Sequence, residues 1–160
     1  MELVVKITLI LLLLTVCYED VTERQTYWFW FPLMALVLGV LHLNQTVWPV
    51  FVTSVGINLC VVCLFLIVIY GYARLKLGVH PRQVFGLGDA FLFLALAFSF
   101  STISFITVFV FALVFSLVLH MVLNTKSKPQ TVPLAGYMSL FFAITYIAYW
   151  FEGIDSLYLI

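Results

Sequence analysis

From Val84 to Leu123 the chain carries a single charged side chain, Asp89. As one helix at about 1.5 Å per residue, these roughly 40 residues would reach about 60 Å, twice the roughly 30 Å of a bilayer's hydrocarbon core. A stretch this apolar and this long predicts two membrane spans joined by a hinge, placed at Ser99-Phe100-Ser101-Thr102, the one hydroxyl cluster near its middle. The rest of the chain agrees. Hydrophobic residues make up 65%, charged residues 9% against about a quarter in a soluble domain, and mean hydropathy is +1.21. The apolar runs lack the alternation of a transmembrane barrel, so helices must satisfy the backbone in lipid. The expected fold is all-α, one polytopic membrane domain over residues 1–160 with about six transmembrane helices.

Charges and breakers place the spans. The first covers about Leu3 to Tyr18 and closes at Glu19-Asp20. The second covers about Tyr27 to Leu43 and ends in a polar turn, His42-Leu43-Asn44-Gln45. The third runs from about Val47 to Ala73, the fourth and fifth share Val84 to Leu123, and the sixth runs from about Val132 to Phe151. With the N-terminus outside, Arg24, Arg74, Lys76, Arg82, Lys126 and Lys128 fall in cytoplasmic loops and only Lys6 falls outside. That distribution obeys the positive-inside rule, and the reverse orientation violates it. Both termini are therefore expected outside. The aromatic clusters at Tyr27-Trp28-Phe29-Trp30, Trp48 and Tyr146-Tyr149-Trp150 sit near span ends, where interfacial belts belong. Net charge is zero and no basic block interleaves with aromatics, which argues against a nucleic-acid partner. The lipid bilayer is the expected partner.

Two acidic positions stand out against this background. Asp89 lies in Gly86-Leu87-Gly88-Asp89-Ala90, at the head of a span, where an ionisable group is costly and functional by default. Asp20 ends the first span. Two spans separate them, so both lie at the cytoplasmic leaflet. The structural reading of each alone is a carboxylate reaching water or capping a helix N-terminus. Read as a pair, they suit peptide hydrolysis: carboxylates sharing one water cannot both ionise easily, so one serves as base and the other as acid, and the pair titrates as a unit.

Three segments resemble the type IV prepilin peptidases, membrane aspartic proteases that remove the leader of pilin-like precursors at the cytoplasmic face. Asp20-Val21-Thr22-Glu23-Arg24 is similar to the family's first aspartate motif, Gly86-Leu87-Gly88-Asp89 matches its GxGD motif, and Val132-Pro133-Leu134-Ala135-Gly136 resembles the Pro-containing segment that opens its last span. The resemblance covers almost the whole chain in order and spacing. It implies Asp20 and Asp89 as catalytic residues, with Arg24, Gly86, Gly88, Pro133 and Gly136 as motif-supporting positions. It also implies a prepilin-like substrate, a location in the cytoplasmic membrane, and no metal or cofactor. Two departures are visible. Thr26-Tyr27-Trp28 stands where the family usually has Ile-Pro-Asn, and Phe91 stands where it usually has a lysine, so a nearby cation that could tune the aspartate is missing. The methylating members carry a cytoplasmic insertion with paired cysteine motifs, for which this chain lacks the four cysteines. Cleavage without methylation is expected.

Other constellations carry less. Cys60-Val61-Val62-Cys63 lies mid-span with no second pair to complete a zinc site, and His42, His80 and His120 form no metalloprotease spacing. Glu19 and Glu23 beside Asp20 make an acidic mouth that would attract a basic leader, with a solvated loop as the plain alternative. Small residues Ala95, Ala97, Ala112 and Ala143 could shape a groove for a substrate helix. Two other functions remain open: an intramembrane protease of presenilin type, which shares GxGD, and a nonenzymatic membrane carrier or assembly protein using Asp89 as an ion site.

Overall fold

The computed structural model describes residues 2–76, 86–123, 132–151 and 157–158. Among these the chain forms six helices and no strand: α1 (Glu2–Thr22), α2 (Trp30–Gln45), α3 (Trp48–Leu75), α4 (Leu87–Leu96), α5 (Thr102–Leu123) and α6 (Leu134–Trp150). The all-α expectation holds. Two of the helices, α3 and α5, are long and apolar enough to cross a membrane, whereas α2, α4 and α6 are apolar but shorter. The basic loop residues Arg82, Lys126 and Lys128, and His80, lie outside the described residues.

α1 packs most extensively on α6 and also on α2; α4 lies against three helices, α2, α3 and α6, and α5 against α6 and α3. The core stripe of α1 is Leu9, Leu13 and Val16, fully buried at helical spacing. Phe93 of α4 and Phe105 and Phe109 of α5 close the opposite side, with the Phe93 and Phe109 rings edge to face at 4.9 Å.

Three boundaries differ from expectation, each for a local reason. The first helix does not stop at Glu19-Asp20 but continues one turn to Thr22, because the Glu23 amide still donates to the Glu19 carbonyl at 2.8 Å. It ends where Arg24 turns left-handed, at φ 55°, the usual way an α-helix is terminated. The expected polar turn at His42–Gln45 is helical, because His42 faces inward and is fully buried, with its ring on the Phe98 carbonyl. Between α4 and α5 the hinge spans 97–101, overlapping the predicted Ser99–Thr102. Neither proline nor glycine makes this break. Amides of Phe98 and Ser99 tighten it with bonds of 3.2 and 3.0 Å to the carbonyls three residues back, and side chains of neighbouring helices hold the carbonyls beyond.

Candidate functional site

α6 opens with Pro133, buried and lacking an N–H, as its N-cap. The amides of the N-cap and of the first three helical residues have no intrahelical acceptor; Pro133 has no amide to place, and the fate of the other three is visible. Leu134 donates to the Val132 carbonyl at 2.9 Å, and Tyr137 makes the first regular helical bond, to the Pro133 carbonyl at 3.2 Å. The two between them donate to carboxylates: Ala135 to Asp89 Oδ1 at 2.8 Å and Gly136 to Asp20 Oδ2 at 2.6 Å. Consecutive residues lie about 3.8 Å apart, so acceptors of adjacent amides are neighbours. Three helix ends therefore bring Asp20 and Asp89 together: the last turn of α1, the first turn of α4 and the first turn of α6.

A helix N-terminus welcomes one anion through its dipole and free amides. Two carboxylates exceed what capping requires, and their mutual repulsion favours a shared proton. The arrangement can therefore present an acid and a base side by side. Arg24 is the cation whose charge acts on Asp20. Its left-handed backbone costs roughly 1 kcal/mol or more for a residue with a Cβ, although glycine would fit there freely.

Two of the three motif glycines are explained by close approach. A Cβ on Gly136 would lie 3.0 Å from Val21 Cγ2, 3.2 Å from Asp20 Oδ2 and 3.2 Å from the Cys17 carbonyl, so α1 and α6 could not meet with a side chain between them. A Cβ on Gly86 would lie 2.9 Å from Asp89 Oδ2, because that carboxylate folds back over the N-cap of its own helix. Gly88 differs. Its nearest neighbours, Thr26 Oγ1 and Phe31 Cζ, stand at 3.6 and 3.9 Å, ordinary contact distances.

Glu19 is engaged elsewhere. Its carboxylate accepts from Trp30 Nε1 at 3.0 Å and from the Tyr27 amide at 3.4 Å, tying the loop between α1 and α2. Glu23 is exposed at the mouth. Phe91 is about half exposed and packs near Phe31, with ring centroids 6.0 Å apart. Cys60 and Cys63 are free thiols on the exposed face of α3. Among the described residues no three His, Cys, Asp or Glu side chains group as metal ligands would. Sequence reasoning missed Ala135, which contributes only a backbone amide, and Asn58, a buried amide inside an otherwise apolar helix. A polar residue in the middle of a span was the available signal for Asn58.

Comparison with protein families, with curated proteins and with solved structures finds no match to this chain.

Proposed function

We propose that this protein is a membrane aspartic endopeptidase of the prepilin-peptidase type, which removes a basic leader from pilin-like precursors at the cytoplasmic face. The observation that carries this reading is the seating of Asp20 and Asp89 on the adjacent amides of Gly136 and Ala135. In the proposed reaction the ionised carboxylate takes a proton from a water held between the two. The resulting hydroxide attacks the scissile carbonyl while the protonated carboxyl gives its proton to the carbonyl oxygen. Collapse of the tetrahedral intermediate breaks the C–N bond as the proton collected by the base passes to the leaving amine and one hydroxyl of the intermediate returns its proton to the other carboxylate. The α6 amides hold the dyad in register through these steps, which is the positioning that rate enhancement demands.

The membrane setting rests on the outer surface as well as on α3 and α5. Leu64, Ile67 and Val68 of α3 and Val110, Phe111, Leu117 and Met121 of α5 are all more than half exposed, an apolar exterior that suits lipid. Six membrane segments with both termini outside, in a cytoplasmic membrane, complete the proposal. The product should leave unmethylated.

The test is incubation of membranes containing the protein with a prepilin-like precursor, followed by mass spectrometry of its N-terminus. Leader loss that disappears in Asp20→Asn and Asp89→Asn supports the reading. Unchanged precursor with the native protein, across several such substrates, favours the carrier alternative.

A further inference from the structure

The break between α4 and α5 exposes four consecutive carbonyls, and side chains of three other helices take all of them. Asn58 of α3 donates through Nδ2 to Ala97 and Phe100, at 3.1 and 3.0 Å. His42 of α2 reaches Phe98 at 3.3 Å, and Tyr146 of α6 donates to Ser99 at 3.3 Å. These bonds fix the chemistry of what is left over. With both Asn58 hydrogens used, Oδ1 can only accept. A carbonyl only accepts, so His42 Nδ1 carries the hydrogen and Nε2 of the neutral ring is a bare lone pair.

Asn58 Oδ1, His42 Nε2 and Ser99 Oγ are all buried without a protein partner. Their residues are each 0% exposed. Buried polar atoms are seldom left unpaired, since each costs about 1–3 kcal/mol. They cannot satisfy one another, because two of them only accept and the Ser99 hydroxyl has one hydrogen to give. A ligand at this place must bring hydrogens or positive charge. None of the side chains holding the break is charged, and an uncompensated cation in such surroundings costs far more than a neutral molecule. One water that donated to His42 Nε2 and Asn58 Oδ1 and accepted from Ser99 Oγ would balance all three.

An open pocket lies at the end of the bundle remote from the aspartates. There the start of α1 and the ends of α2 and α6 enclose a pocket of about 180 Å³, lined by Glu2, Lys6, Gln45, Tyr149 and Tyr158 among others. A water occupies about 30 Å³ of liquid volume, so several fit. Tyr158 links this pocket to the break. Its ring lies 5.5 Å from that of His42, and its hydroxyl bonds with that of Tyr146, which caps Ser99.

We propose that the α4–α5 break is a binding site for an ordered internal water, held by His42, Asn58 and Ser99 and supplied from the pocket at the far end. The test is hydroxyl-radical labelling of the full chain in lipid by pulsed radiolysis of water, read by mass spectrometry, with thermal midpoints measured in sodium and in choline chloride at equal ionic strength. Tyr146 and Phe105 are both fully buried, so accessibility alone predicts equal protection. A held water should give Tyr146 at least several-fold more oxidation than Phe105, with no dependence of the midpoint on the cation. Equal background labelling of the two rings overturns the proposal. A saturable rise in midpoint with sodium also overturns it, by making the ligand a cation.

Discussion

Asp20 and Asp89 accept hydrogen bonds from neighbouring amides of one helix N-terminus, Gly136 at 2.6 Å and Ala135 at 2.8 Å. Helices α1 and α4 each contribute one of these carboxylates. α6 joins them, so any change that shifts its first turn moves both carboxylates together.

Asp20→Asn and Asp89→Asn should each abolish leader removal while leaving the protein in the membrane. The Asn carbonyl oxygen can still accept from the α6 amide, and losing a charge in a poorly solvated place costs little stability. Neither half of acid–base catalysis survives in an amide. Losses of several orders of magnitude are expected, with the double variant little worse than either single, because the pair acts as a unit. Normal processing by either variant at matched expression would remove the aspartic-protease reading.

The three glycines should separate by the space around them. Gly136→Ala forces a methyl group between Asp20 and the Cys17 carbonyl and should lower both activity and stability, the latter by about 1–3 kcal/mol. Gly86→Ala displaces the Asp89 carboxylate and should reduce activity more than stability. Gly88→Ala meets only ordinary contacts and should stay close to native in both. Thermal midpoints and precursor cleavage measured together check this order; inactivity of Gly88→Ala with an unchanged midpoint would contradict it.

Glu19 and Glu23 should part ways. Glu19→Gln weakens the ties to Trp30 Nε1 and the Tyr27 amide, a loss of roughly 1–2 kcal/mol for hydrogen bonds to a charged group. Glu23→Gln removes an exposed charge at the mouth and should weaken capture of a basic leader only at low salt. A salt titration of the apparent KM beside an unfolding curve distinguishes the two effects.

Asn58→Ala should be among the most damaging single changes outside the dyad. It withdraws the donor from the Ala97 and Phe100 carbonyls inside an apolar interior, at about 2–4 kcal/mol for the two. Denaturant unfolding in detergent measures it. A loss below about 1 kcal/mol would mean that the break holds without this latch.

Reporter fusions at Lys126 and after Ile160 should give opposite signals, cytoplasmic for the first and external for the second, following the charge distribution of the loops. Signals from the same side would end the six-segment arrangement.

Hydropathy and charge alone determined that the chain is helical and that the stretch from Val84 to Leu123 must break near Ser99, and they predicted Asp20 and Asp89 at one end of the helices, where both meet the first turn of α6. These properties are local: a run of apolar side chains, a cluster of hydroxyls and the position of arginines and lysines act wherever the segment ends up. Tertiary structure decided which atoms meet. The Ala135 and Gly136 amides carry no side-chain signal, and that they hold the carboxylates follows from α1, α4 and α6 converging within hydrogen-bond distance. His42 looked like part of a polar turn because its partner, the Phe98 carbonyl, lies 56 residues away in the chain. Asn58 likewise caps a break 39 residues further on. Such pairings depend on how helices pack, because a hydrogen bond is decided by tenths of an ångström between elements that sequence periodicity leaves free to slide.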